Sequence, residues 1–220
     1  MINFNQIMLL IKGAQLTLGI SILGMLTGSI IGIIIGFMRA SKNSIISNVS
    51  KLYVEIFRSS PLIIQLFVIY YGIPILFKKD ISAFTTAFIA FTLYTSSYMA
   101  EVFKSSIEAI DIAQWESAYS LGLPYSTVTL KIILPQALRI AIPPSVGILI
   151  LVIKDSSLAS VIGFTELTRM SNIVRAQTFT TFNVYAIAAL LYFIICYSIS
   201  FIGTFFEKKI KQNDISKIKY

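Results

Sequence analysis

Two stretches of this chain, residues 13–38 and 184–206, carry no charged side chain at all. An apolar helix needs about 20 residues to cross a hydrocarbon core. Backbone placed there must satisfy its own N–H and C=O groups, which favours helices. Both stretches are long enough. Across the 220 residues 56% are hydrophobic and 13% are charged, roughly half the charged share of a soluble domain. The chain is therefore expected to be all-α and polytopic, a single transmembrane domain over residues 1–220.

Three further spans are predicted. Residues 59–77 begin near Pro61, which suits the first turn of a helix. Residues 81–100 are rich in hydroxyls, from Thr85 to Tyr98, so one face of that helix should line protein or water. Residues 138–154 contain Pro143-Pro144, which should break the helix ladder; discontinuous helices are where transporters place substrate. A Ser/Asn-rich loop is expected over residues 39–51, and a polar connection over 166–183. In the first span Gly24, Gly28, Gly32 and Gly36 recur every fourth residue. They form a groove on one face for a close-packed helix, from the same bundle or from a second subunit.

The net charge of +8 comes from cations at the ends of apolar runs. That is the pattern of membrane orientation, and it argues against nucleic acid as a partner. Lys208, Lys209, Lys211, Lys217 and Lys219 place the C-terminus in the cytoplasm, and five spans then put the N-terminus outside. This orientation leaves twelve of the 18 Lys and Arg residues inside. There is no histidine, and the one cysteine, Cys196, lies in an apolar run. No metal, haem or disulfide framework is expected. No cleavable signal peptide is expected either, because no basic segment precedes the first apolar run.

One stretch between spans is unsuited to lipid: residues 108–135. Asp111 can cap a helix, with Gln114 placed as its capping-box partner. Gly122 falls where a left-handed stop belongs, and Pro124 can open a second short helix. Trp115, Ala118, Tyr119 and Gly122 share one face at helical spacing, and Glu116 and Ser120 lie off it. The reading is a helix–turn–helix outside the bilayer with a small and aromatic docking face.

Glu116-Ser117-Ala118, then Gly122, then Ile132, Leu134 and Pro135 resemble the EAA loop of ATP-binding-cassette (ABC) importer permeases. Ser117 stands where that family usually has a middle alanine. Tyr53 to Phe67 and Tyr98 to Ile110 are similar to the polar-amino-acid branch. The resemblance implies a type I importer permease in a bacterial cytoplasmic membrane, without catalytic residues or a cofactor of its own. It also implies that Trp115, Glu116, Ser117, Ala118, Tyr119, Gly122, Leu134 and Pro135 seat on an ATPase subunit dimer. A second permease copy or a paralogue would complete the path, and an extracytoplasmic substrate-binding protein would deliver an amino acid. The chain has no Gly-x-x-x-x-Gly-Lys-Ser/Thr loop, so P-loop hydrolysis of ATP must come from another chain.

Gln65, Tyr94, Tyr98, Lys154, Asp155 and Ser156 are the candidates for the substrate path, since polar groups in spans are functional hypotheses by default. Gln65 can equally bond a neighbouring helix. Lys154 and Asp155 can supply the two signs a zwitterion needs, or be structural. A permease for another small polar solute, and a passive channel or scaffold, are the alternatives. Only the importer accounts for the spacing of the 108–135 loop. A membrane enzyme lacks a carboxylate pair or metal cluster to support it.

Overall fold

The computed structural model describes residues 2–41 and 43–217, with the side chains of Phe206 and of residues 209–217 outside the description. Of the basic tail used to orient the chain, Lys219 therefore lies outside the described residues and Lys209, Lys211 and Lys217 are described in backbone alone. Nine α-helices run in chain order among those residues: α1 (Phe4–Arg39), α2 (Ser44–Ser59), α3 (Leu62–Phe77), α4 (Ala83–Glu108), α5 (Ile112–Ser120), α6 (Tyr125–Thr127), α7 (Leu134–Asp155), α8 (Leu167–Thr178) and α9 (Thr181–Lys217). A π-helical segment, Val128–Ile133, joins α6 to α7, and a 3₁₀ segment, Ser156–Ile162, follows α7.

Three stretches are long and apolar enough to cross a membrane: Phe4–Arg39, Tyr125–Ile162 and Thr181–Phe205. The pair α2 and α3, bent by 101°, makes a fourth if taken as one span. The predicted span 81–100 is α4, which is absent from that set because its hydroxyls lower its hydropathy. It is instead the helix around which the others pack. Residues from Thr86 to Ile107 are buried on most of its faces, against α1, α2, α3 and α7. Three of its hydroxyls are satisfied locally: Ser96 and Ser97 donate to Leu93 O and Tyr94 O, and Ser106 to Val102 O; those of Thr86 and Thr95 are buried without a hydrogen-bond partner among the described residues.

The glycine stripe of α1 lies against α4. A Cβ added at Gly24 would sit 2.8 Å from Phe91 Cβ, at Gly28 2.7 Å from Thr95 Cβ, and at Gly32 2.5 Å from Met99 Cβ. Small residues at such a contact let two backbones approach, and dispersion then replaces the hydrophobic drive that lipid cannot supply. A hydrogen bond between Thr27 and Thr92 hydroxyls, 2.8 Å, fixes the register.

Three expectations are corrected. The Ser/Asn-rich loop is helix α2, because Asn43 caps it by accepting from the N–H groups of Ile45 and Ile46. Ile45, Val49, Leu52 and Ile56 then give it an apolar face at helical spacing. The Pro143-Pro144 pair does not break α7, which runs unbroken to Asp155. Each proline removes only its own ladder bond, and packing against α4 and α9 holds the helix through the gap. The polar connection 166–183 contains α8.

That helix is anchored by Glu166. Its carboxylate is fully buried and accepts from Thr168 N–H, Arg169 N–H and the Tyr192 hydroxyl at 2.7 to 2.9 Å. Leu167 N–H donates to Thr17 Oγ1 on α1. Burial pushes the Glu166 carboxyl above its ordinary value, against the hydrogen bonds that lower it.

Gly32→Val would overpack the α1–α4 contact, where Ser96 O and Ala100 N leave no room. We expect a loss of about 1–3 kcal/mol or more, read as a lower thermal midpoint in detergent. A raised folded-state carboxyl value means the native state holds its proton longer, so stability falls as pH rises from the ordinary carboxylate range through the folded value. Wild type should therefore lose stability relative to Glu166→Gln over that rise, measured by thermal unfolding at stepped pH; parallel curves would sink the assignment.

Candidate functional site: a polar column and a basal helix

The polar side chains of the interior form a column along α4. Tyr94 OH donates to Asp155 Oδ2 at 3.0 Å, and Tyr94 and Tyr98 rings pack 4.8 Å apart. The Arg58 guanidinium lies over the Tyr98 ring, 5.3 Å from its centroid, close enough for a cation–π contact. Arg58 Nη1 then meets Glu101 Oε2 at 3.0 Å, and Arg39 from the end of α1 pairs with the same carboxylate. A polar cavity of about 300 Å³ sits there, lined by Arg39, Glu55, Arg58, Ser59, Tyr98 and Glu101 among others. Three of the predicted path residues, Tyr94, Tyr98 and Asp155, are thus brought together.

The other three are not. Gln65 is buried, but its Nε2 donates to Phe57 O, Ser60 O and Ser60 Oγ. It ties the last turn of α2 to the first of α3 and so holds the bend at Pro61. Ser156 donates to Ile153 O and is fully buried. Lys154 points the opposite way from Asp155, into a groove with Tyr192, Phe193, Cys196 and Tyr197 on α9. It makes no ion pair among the described residues. Sequence reasoning missed Glu101, Arg39 and Arg58 as members of the column. One signal was available: Glu101 is the sole carboxylate between Ile81 and Lys104, and a carboxylate there needs cations from elsewhere.

The second feature is basal. Asp111 caps α5 by accepting from Ala113 N–H, and Gly122, at φ 72, ends it in the left-handed region. The capping bond goes to Ala113 N–H, without the expected Gln114 exchange. Nothing lies within 4 Å of a Cβ built at Gly122, so its constraint within this chain is backbone angle alone. The predicted docking face is divided. Ala118 is buried in a cluster with Phe103, Ile107, Ile110, Val128, Ile133 and Ala137, which Trp115 and Leu134 pack against. Glu116, Ser117, Gly122 and Pro135 are exposed, and Tyr119 is 41% exposed. A cleft of about 610 Å³ lined by Phe37, Ile107, Glu108, Trp115, Tyr119 and Tyr125, among others, opens beside the helix. Half of α5 is a base plugged into the core, and the other half is available.

The family described as the binding-protein-dependent transport system inner membrane component matches residues 28–212, and this chain belongs to it. Among its relatives, the probable amino-acid ABC transporter permease protein YckA of Bacillus subtilis is 39% identical over 199 residues, covering 90% of this chain and 88% of that protein. The putative glutamine transport system permease protein GlnP of Rickettsia conorii is 35% identical over 210 residues, 96% of each chain. The arginine transport system permease protein ArtQ of B. subtilis is 32% identical over 209 residues, 95% of each. The crystal structure of an amino acid ABC transporter with histidines superposes with a TM-score of 0.87 at 33% identity, over 95% of this chain and 99% of that one. The inward-facing MetNI methionine ABC transporter superposes at 0.83 with 20% identity, over 94% and 99%, a likeness of fold. The chain is a type I ABC importer permease, a multi-helix membrane subunit. Membership in its family implies an ATPase and a substrate-binding protein as partners.

Proposed function

We propose that this subunit forms the membrane path of an importer for a polar amino acid, with α5 and the segment to Pro135 as the seat of a separate ATPase dimer. The observation that carries the proposal is the build of α5: a helix plugged into the core by Ala118, with Glu116, Ser117 and Tyr119 left outward. Coverage of 90 to 96% of the chain by relatives named for amino-acid, glutamine and arginine transport supports the substrate class. In this reading ATP hydrolysis belongs to the partner, and a second permease, identical or paralogous, closes the path.

Five spans, at about residues 13–38, 59–77, 81–100, 138–154 and 184–206, place the N-terminus outside, the C-terminus inside and α5 on the cytoplasmic side. The path runs past Tyr94, Tyr98 and Asp155. A carboxylate held by a tyrosine hydroxyl at the top of the column suits the ammonium group of an amino acid. The guanidinium of Arg58, shared with Glu101, suits its carboxylate. Substrate binding then competes with contacts the column makes to itself.

Gly122→Asp should leave the permease inserted but cost the left-handed turn about 1 kcal/mol and put a carboxylate at the docking surface. In a pull-down of tagged protein from native membranes, wild type should recover a nucleotide-binding subunit and the variant should not. Recovery with both would move the seat elsewhere, and recovery with neither would sink the importer. Asp155→Asn in the reconstituted transporter should raise the half-saturating substrate concentration about tenfold or more, the loss of one charge-assisted hydrogen bond. Unchanged uptake would remove Asp155 from the path.

A further inference from the structure

The two arginines that share Glu101 are not equivalent. Arg39 reaches the carboxylate from the end of α1, and Arg58 reaches it from the last turn of α2. The Arg39 side chain is 11% exposed and that of Arg58 is 40% exposed. One guanidinium is enclosed, and the other stands open to the polar cavity beside Tyr98.

Arg39 is also held through its backbone. A Cβ added at Gly36, a turn before it, would lie 3.0 Å from Ala100 O, so the end of α1 sits flush against α4. Ser47 Oγ on α2 donates to Arg39 O at 3.0 Å. The guanidinium therefore arrives at Glu101 from a backbone fixed by two neighbouring helices. Arg58 instead divides itself between Glu101 and the face of the Tyr98 ring. A carboxylate withdrawn from water needs a cation, and Arg39 by itself meets that need. Arg58 is the one that can turn to a solute while Glu101 stays paired.

Among the described residues, three carboxylates face the column or its cavity: Glu55, Glu101 and Asp155. Glu55 is paired with Lys51 at 3.7 Å, one turn back on α2, and Glu101 is matched by Arg39. Asp155 and Arg58 remain, one of each sign, with the Tyr94 and Tyr98 rings between them. The backbone of an α-amino acid carries one ammonium and one carboxylate, so it takes up both. A charged side chain would then enter the column without a counter-charge, which is costly away from water. An amide or hydroxyl side chain would instead find the hydroxyls of Tyr98 and Ser59 in the cavity wall.

We infer that Arg39 sets the charge class of the substrate: by neutralising Glu101 it leaves the column one anion and one cation, and so restricts it to amino acids with uncharged polar side chains. The inference rests on the reading of the column as the substrate path. Arg39 acts through Glu101 and does not meet the solute itself, so it is a positioning residue. Its effect is on which amino acids pass, and not only on how tightly they bind.

The permease with its ATPase in lipid nanodiscs, without binding protein, removes any selection made by that protein. Equilibrium binding is measured for two radiolabelled pairs matched in shape, glutamine with glutamate and citrulline with arginine. In wild type the neutral member of each pair should bind about tenfold more tightly or better. Arg39→Gln leaves Glu101 to Arg58 and gives the column an excess negative charge. Its arginine-to-citrulline affinity ratio should rise about tenfold or more over wild type, and its glutamate-to-glutamine ratio should fall. Glu101→Gln should move both ratios the other way, and it gives the reading where Arg39→Gln fails to fold. Arg39→Lys keeps the charge and should keep the wild-type ratios. Loss of packing alone would weaken all four solutes together and leave the ratios where they were. Wild type binding arginine or glutamate as tightly as its neutral counterpart would overturn the inference and leave the importer standing, as would ratios unmoved in the charge variants. Wild type binding none of the four would remove the column from the path, and the inference with it.

Discussion

The contact between α1 and α4 is the one on which the rest depends. In lipid, water does not drive apolar helices together, so a bundle needs close backbone approach. Gly24, Gly28, Gly32 and Gly36 supply it by letting α1 come within van der Waals distance of the Phe91–Phe103 side of α4. Once α4 is sheathed by α1, its many hydroxyls are removed from lipid, and those of Ser96, Ser97 and Ser106 bond to carbonyls of their own helix. A hydroxyl-rich helix that would be a poor lipid-exposed span becomes the centre of the protein.

From that centre α4 connects the two ends of the molecule. Tyr94, Tyr98 and Glu101 face the polar column, and Phe103 and Ile107, only one to two turns further, enter the cluster that holds Ala118. A rigid helix whose one segment meets the column and whose next segment meets the base of α5 provides a mechanical link for coupling. In the proposed function, ATPase movement at α5 would shift the Phe103–Ala118 packing and with it the Arg39–Glu101–Arg58 cluster. The two arginines share one carboxylate below Tyr98, and under that proposal competition for Glu101 and Arg58 would be a physical route by which substrate and ATPase sense each other.

Helix ends were read well from sequence wherever one residue type has one job. Asp111 and Gly122 are legible because a short acceptor caps a helix and a glycine takes positive φ. Local rules failed where packing decides. The double proline predicts a break, but neighbouring helices carry α7 across it. Gln65 reads equally as a path residue or as a bond to a neighbouring helix, and its Nε2 holds the α2–α3 bend while its buried Oε1 has no partner among the described residues. Lys154 and Asp155 are read as two signs for a zwitterion or as structural, and adjacent residues on a helix point about 100° apart: Asp155 meets Tyr94 and Lys154 lies beside α9.

The sequence by itself determined that the chain is helical and lives in a membrane, since uncharged stretches of over 20 residues leave few other choices. It also determined where the EAA-like element lies and which residues cap and end it, because those depend on neighbours in the chain. Only the tertiary structure decided which face of α5 is buried, that Glu101 gathers Arg39 and Arg58, and that α8 is anchored at its start on α1 and α9. Those outcomes turn on pairs of residues as far apart as Thr17 and Leu167, 150 positions along the chain. No local pattern carries the geometry that brings such pairs together.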